Sequence, residues 1–286
     1  MDDKCDILIL GASGMLGSAV RNVLGTCDGT QSENPHAPDY LDILETPPDQ
    51  WLSRGLSRRY DYIINCIGVL KPAVKEHDSS SLTRAIRINS LFPHALAEVA
   101  HDAHIIHIST DGVFSGTHNR PYLESDSPDC SDAYGRTKAL GECPAPNVLN
   151  IRCSIIGRDP QFGKGLMEWV LRAREGDVLN GYEDHLWNGV TTRQFGLLCR
   201  SIIESGEFDR IRRESGVHHF CPNPAITKYD LLCAIQEAAG REDIAIRRSH
   251  SGAPNTRILG TLYSQLHAHY PDARSWNSVI KEALAD

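Results

Sequence analysis

The 286-residue chain has no CxxC pair and no HExxH, although it holds nine cysteines and thirteen histidines. The cysteine count is odd, and Cys66 in IINCIG and Cys153 in IRCSII sit inside apolar runs. Such thiols read as reduced core residues, which excludes a disulfide frame, predicts no metal site and points to a cytoplasmic protein. Long runs of one charge are missing too. RGLSRRYD (54–61) and RIRRE (210–214) are the most basic stretches, both are short, and the net charge is −8. No nucleic-acid partner is predicted from that balance. No apolar run is long enough to span a bilayer, and MDDKCDILIL places acids ahead of a short apolar segment, unlike a signal peptide. Neither a membrane partner nor secretion is predicted. Internal repeats and low-complexity tracts are also lacking.

What the chain does have is alternation. CDILIL (5–10), DYIINCIG (61–68), HIIHIS (104–109) and NVLNIRC (147–153) read as buried strands, and helical stretches lie between them. A second strand within 27–40 is weak. The stretch 82–103 has helical periodicity strained by Pro93, and 131–143 reads as a helix stopped by Pro144 and Pro146. Apolar strands alternating with helices predict a parallel sheet covered on both faces. The rhythm changes after Cys153. Helices are predicted over 163–175, 191–205, 227–239 and 275–284, a strand over 217–221, and a loop rich in Gly, Trp and Asn over 181–192. Thr227 and Asp230 stand at capping-box spacing. The expected fold is α/β, a Rossmann-like doubly wound parallel sheet with a smaller C-terminal α/β substrate domain. Its NAD(P)-binding part is expected over 1–153, completed by about 190–222. The substrate-binding portion is expected over 154–189 and 223–286.

GASGMLG places glycines at 11, 14 and 17 directly after a strand and at the opening of a helix. Such a turn lets backbone approach a pyrophosphate, which then sits on the helix's unpaired N–H groups and positive dipole end. Asp28 is the nearest candidate for a ribose-binding acid, and Gln31 and Ser32 follow without an arginine. NADPH and NADH therefore both stay open as the cofactor.

DAYGRTKALGE (132–142) sets Tyr134 and Lys138 four residues apart, on one face of a helix. A hydride-transfer enzyme acting on a ketone needs an acid for the new alkoxide. A lysine cation about 4 Å away contributes roughly 4 kcal/mol at an effective dielectric near 20, about three units off a tyrosine pKa near 10. That predicts a phenol usable as acid and base. Ser109, Thr110 and Asp111 end a strand at the sheet edge where ligands bind, and Thr110 is placed to hold a carbonyl.

GASGMLG, NCIG (65–68), RINS (87–90), STDGVFSG (109–116) and YGRTKALGE (134–142) occur together and in order. In this the chain resembles the extended short-chain dehydrogenase/reductase superfamily, in the branch of dTDP-4-dehydrorhamnose reductase. The match is good over about the first 155 residues and thins to NGVTT (188–192) and PAITKYDLL (224–232). The resemblance implies a catalytic set of Thr110, Tyr134 and Lys138. It implies Gly11, Ser13, Gly14, Met15 and Leu16 along the cofactor phosphates, Asp42 and Ile43 by the adenine, and Cys66, Ile67 and Gly68 at the ribose, with Tyr134 and Lys138 also reaching the cofactor. Asn89 would tie the sheet edge, and Asp111 would lie beside the sugar.

Three departures stand out. Gly112 replaces a usual aromatic, Ile155 replaces a frequent tryptophan, and Val69 and Leu70 replace a polar pair. SIIG, EW and NGVTT instead resemble relatives associated with UDP-linked N-acetylated 6-deoxy sugars. On the substrate side stand Val69, Asp111, Ile155, Lys71 and Lys164. Arg152 and Arg158 are candidate phosphate ligands, and Trp187 is either a stacking face or a core ring. The expected activity is NAD(P)H-dependent reduction of C4 of a nucleotide-linked 4-keto-6-deoxy sugar. A non-catalytic regulatory subunit and an epimerase or dehydratase of the same fold stay open, as does the oligomeric state, a homodimer included.

Overall fold

The computed structural model describes residues 5–31, 41–47, 50, 59–159, 161–253, 255–270 and 275–285. Ser32, residues 54–58 of the basic stretch and most of the loop before Asp42 lie outside them.

The first part runs β1 (Ile7–Leu10), α1 (Met15–Leu24), β2 (Asp28–Gly29), β3 (Tyr62–Asn65), α2 (Ser79–Ala85), a π-helical turn (Ile86–Leu91), α3 (Phe92–Val99), β4 (His104–Ser109), α4 (Ala133–Leu140) and β5 (Val148–Arg152). The second part has β6 (Ile155–Ile156), α5 (Leu166–Leu171), β7 (Val178–Tyr182), β8 (His185–Trp187), β9 (Val190–Thr191), α6 (Thr192–Ser205), α7 (Phe208–Glu214) and β10 (Val217–His219). It closes with β11 (Ile226–Thr227), α8 (Lys228–Ala238), β12 (Ala245–Ser249), β13 (Asn255–Arg257), α9 (Ser264–Ala268) and α10 (Trp276–Ala285).

Six strands form one parallel sheet in the order β10-β5-β4-β3-β1-β2. Side chains along a strand alternate between faces. Ile7, Ile9, Ile64, Ile106 and Leu149 meet Val20 of α1 and Phe195, Leu198 and Ile202 of α6 on one face. Leu8, Leu10, Ile63, Ile105 and Val148 meet Phe92, Leu96 and Ala97 of α3 on the other. Burial on both faces explains why the strands read as unbroken apolar runs rather than as alternation. The chain crosses back at the end, since β10 pairs with β5 and α6 lies in the same core as α1.

The helix expected over 82–103 begins earlier and is interrupted. Asp78 caps α2 by accepting from the Ser80 amide, and the π-turn separates α2 from α3, where Pro93 sits in the first turn. The wider bonding of the π-turn carries the helical backbone past Pro93, which has no N–H to donate. The loop expected over 181–192 instead holds β8 and β9. These strands are too short to show a period and pair with distant segments: β8 lies between β11 and β13, β9 pairs with β6, and β7 pairs with β12. Met167, Val170, Leu232, Ile235, Trp276 and Ile280 form a core under these small sheets.

Candidate functional site

The site lies at the carboxyl ends of β1, β3, β4 and β5. After β1 the chain turns through Gly11, whose φ of +78° is in the left-handed region that glycine tolerates. The Gly11 amide donates to Thr30 Oγ1 (3.2 Å), and the Ala12 amide to the Thr30 carbonyl (2.9 Å). A Cβ on Gly17 would overlap the Gly11 carbonyl, so glycine at 17 is what lets α1 lie directly on the turn. Gly14 is the N-cap of α1, no side chain caps it, and no acid stands in the first turn. The opening amides of a ten-residue helix are therefore left for an anion, and the donor set fits a pyrophosphate. Met15 is half-buried, while Leu16 turns its side chain into the core, so the chain offers a phosphate its backbone here.

The end of β3 borders this turn. A Cβ on Gly11 would stand 3.1 Å from Ile67 Cγ1, and the Cys66 amide bonds the Leu10 carbonyl. Burial pushes the Cys66 thiol up to about 12, so it is neutral wall rather than nucleophile. Asn89 lies in the π-turn. It accepts from the Val69 amide (2.8 Å) and donates to the Val69 carbonyl and to Thr137 Oγ1. It thereby ties the loop after β3 to α4. Asp42 accepts the Leu44 amide in a turn of its own, and Ile43 packs beside Leu41. Asp28 accepts the Tyr60 hydroxyl at 2.8 Å.

β4 delivers Ser109, Thr110 and Asp111. Thr110 Oγ1 donates to Asp111 (3.1 Å) and accepts the Gly112 amide (3.0 Å), and it closes on Gly112 together with the edge of the Tyr134 ring. α4 delivers Tyr134 and Lys138, with Asp132 as its cap accepting the Gly135 amide at 2.8 Å. Gly135 has no Cβ where one would overlap the Gly112 carbonyl, which brings the helix onto the loop. Gly112, the residue replacing an aromatic, matters in the same way. A Cβ there would lie 3.1 Å from Tyr134 Cε1 and 3.2 Å from Thr110 Oγ1.

The electrostatics differ from the sequence-based expectation. Burial pushes the Tyr134 phenol up to about 12; Thr110 and the Arg257 charge draw it down, and Asp111 and Asp132 raise it. Lys138 is not among the largest influences on the phenol. Its Nζ reaches back to the Ile108 carbonyl of β4 (2.8 Å), and burial brings the ammonium down to about 8, against the opposing charge of Glu142. Helical spacing placed the two on one face, but the long lysine stem spends its donor on the strand. Asp111 is raised by burial, against the Arg257 charge and hydrogen bonds from Thr110, Ser154 and the Gly112 amide.

Several substrate-side candidates are committed elsewhere. Arg152 is buried and holds Glu142 through two bonds of 2.7 Å, so it cannot meet a phosphate. Arg158 bonds the buried Glu168 at 2.9 Å. Lys71 pairs with Asp132 at 2.9 Å, and Lys164 stands over the Phe162 ring. Trp187 packs against Trp276 with ring centroids 5.1 Å apart, which is the core alternative. Ile155 pairs in register with Val190 and lies against the first core. Val69 is buried under Asn89.

Two residues at this site carry no sequence signal of the kind used above. Ser154 follows β5, and only its place at a strand's carboxyl end could have marked it. Arg257 comes from β13, far along the chain.

An open parallel sheet with a glycine turn at its first crossover, and a Thr–Tyr pair at the carboxyl end of its fourth strand, defines a Rossmann-type nucleotide-binding fold. The family model described as RmlD substrate binding domain matches residues 5–285, and the chain belongs to that family. It is 28% identical over 249 residues to methionine adenosyltransferase 2 subunit beta of Danio rerio, covering 81% of this chain and 73% of that one. It is 27% identical over 242 residues to dTDP-4-dehydrorhamnose reductase of Aggregatibacter actinomycetemcomitans, covering 82% and 79%. In fold it is similar to dTDP-4-dehydrorhamnose reductase of Bacillus anthracis in complex with NADP, with a TM-score of 0.79, 18% identity and 99% of each chain covered. Among the described residues no helix is long and apolar enough to cross a membrane, and no group of three or more His, Cys, Asp or Glu is placed to hold a metal ion.

Proposed function

We propose that this chain is an NAD(P)H-dependent reductase of a nucleotide-linked 4-keto-6-deoxy sugar. The observation that carries the reading is Tyr134 and Thr110 closing together on Gly112, at the sheet edge that also presents the uncapped amides of α1. Gly11, Ser13, Gly14 and the opening amides of α1 would hold the cofactor's phosphates, and Cys66, Ile67 and Gly68 would border its ribose. The cofactor, when bound, supplies the hydride for C4. Thr110 would hold the keto oxygen, and Tyr134 would give its proton to that oxygen as negative charge develops there. A phenol pushed up to about 12 is fully protonated at neutral pH, so the site stands ready as an acid, the state that reduction requires. Lys138, fixed to β4, would present its remaining donors towards the ribose.

Asp111 would border the sugar. UDP- and dTDP-linked substrates both fit the reading. Likeness to a methionine adenosyltransferase subunit favours a second reading, a regulatory subunit that keeps the fold. The Thr–Tyr–Lys set weighs against it, because a pure binder has no use for a proton donor.

The test is loss of NADPH absorbance with a panel of dTDP- and UDP-linked 4-keto sugars, for the wild type and Tyr134→Phe. Turnover in the wild type is expected, with a fall of about 100-fold or more in the variant and cofactor binding retained. Near-normal turnover in Tyr134→Phe would remove the mechanism. Silence across the panel, together with a stable complex formed with a methionine adenosyltransferase catalytic subunit, would favour the regulatory reading.

A further inference from the structure

β13 docks onto the loop that carries Thr110 and Asp111. The Thr256 amide bonds the Gly116 carbonyl (2.9 Å), and the Tyr122 amide bonds the Ile258 carbonyl (2.8 Å). Asn188 holds Leu259 from both sides, donating to its carbonyl and accepting its amide. At Gly116 a Cβ would overlap Asn255 and stand 3.0 Å from Arg257 Cγ, so glycine at 116 makes room for the arginine. Arg257 Nε then donates to the Phe114 carbonyl at 3.0 Å. Phe114 in turn bonds back to Asp111 through its amide (3.0 Å), and the Gly112 between them touches Tyr134 and Thr110.

The rest of the guanidinium has no hydrogen-bond or ion-pair partner among the described residues. Structural arginines of this chain behave otherwise. Arg241 spends Nη1 and Nη2 on the carbonyls of Val170, Leu171 and Ala173 and on Asp243, and Arg152 spends Nε and Nη2 on Glu142. Arg257 is held by one nitrogen, and its charge acts on Asp111, Tyr134 and Asp132.

We infer that Arg257 is a positioning residue of the proton-transfer site, the counter-charge to Asp111 that β13 brings in from the C-terminal part of the chain. The inference rests on the reading of Tyr134 as the proton donor. The groups facing the phenol are Thr110 and Asp111 from the end of β4, Asp132 from the start of α4, and Arg257 from β13. Two of these are carboxylates that disfavour the phenolate, and Arg257 is the cation that opposes them. Asp111 itself faces Thr110, Ser154, Gly112 and Arg257, with the Cys153 thiol nearby. Burial disfavours a carboxylate at that point, and the arginine works to keep it ionised. The guanidinium thus favours the ionised form of both groups beside the reacting oxygen.

The test has one readout with turnover and one without. In Arg257→Gln the last alkaline fall in kcat/KM, the one that follows ionisation of the phenol rather than of Lys138, should move to higher pH, and Arg257→Lys should restore it. Without turnover, tyrosine labelled at Cζ with ¹³C reports the phenol directly, and Tyr134→Phe assigns its resonance among nine tyrosines. Followed to the alkaline limit of the fold, the Tyr134 resonance should begin to move at higher pH in Arg257→Gln than in wild type or Arg257→Lys. If Arg257→Gln does not fold, Asp111→Asn serves instead, because an unopposed Arg257 should make the phenol titrate earlier than in wild type. An unmoved phenol in folded Arg257→Gln, or a later titration in Asp111→Asn, would overturn the inference. Absence of any reductase activity with these resonance shifts intact would instead tell against the proposed reaction.

Discussion

Lys138 is a buried ammonium whose one protein hydrogen bond among the described residues runs to the Ile108 carbonyl. Its pKa is brought from 10.5 to about 8 by burial. A cation disfavoured in the fold costs stability wherever both states are charged, that is, below about 8. As pH rises from 8 towards 10.5 the folded state is neutral while the unfolded chain still binds the proton, so stability rises and the cost fades. The cost at neutral pH is on the order of 3 kcal/mol. Lys138→Met should therefore melt higher than wild type at neutral pH, and the gap should close as the pH is raised through this window. Thermal melts across the pH series check it, and a variant that melts lower throughout would show that the bond to Ile108 outweighs the burial cost. The residue held at this cost is one the proposed reaction needs. Tyr134, Thr110 and Lys138 were each legible in the sequence as a short motif. Their charges on one another were not, because four-residue helical spacing fixes a shared face and says nothing about where a long side chain sends its donor.

At the scale of elements, glycines govern how closely the pieces of the site approach. Gly17 lets α1 sit on the Gly11 turn, and Gly135 lets α4 sit on the Gly112 carbonyl. In Gly17→Ala the added methyl meets backbone on every side, with Gly11 C at 2.7 Å and Ala12 Cα at 2.8 Å, so helix and turn must separate. Overpacking of this kind costs about 1–3 kcal/mol. The separation should also weaken NADPH binding by roughly tenfold or more, on the order of 1.4 kcal/mol of lost contact. Fluorescence titration with NADPH, alongside a denaturation curve, measures both. Unchanged affinity in that variant would detach the turn from cofactor binding. The β1–turn–α1 unit was legible because strand, glycines and helix are contiguous. β8 and β9 were not, because strands of two or three residues have no period and exist only through partners far along the chain.

The whole molecule is joined behind the site by a buried polar network. Glu142, just past α4, accepts Ser109 of β4 and holds Arg152 of β5, whose guanidinium also approaches His219 of β10 and covers the Phe114 ring. His219 faces the Gly260 carbonyl, and Glu124 takes the His219 amide, the Thr261 hydroxyl and the Leu262 amide. The sheet, the end of α4 and the C-terminal segment thus meet in one set of bonds. Removing one partner strands the other's charge, so Glu142→Gln should lose about 3–5 kcal/mol, whereas Glu142→Met with Arg152→Met should recover part of that loss. Urea unfolding of the single and double variants tests this, and a double variant no better than the single would show that the network's worth lies outside the ion pair.

The sequence by itself determined the parallel sheet, its glycine turn and the Thr110, Tyr134 and Lys138 set, because periodicity, turn chemistry and motif spacing are properties of contiguous residues. Only the tertiary structure decided that Arg152 is a core anchor, that Trp187 packs on Trp276, and that Arg257 docks on the loop after β4. Such roles depend on which distant segments burial forces together, and a charge acquires its meaning from neighbours that the chain order does not name.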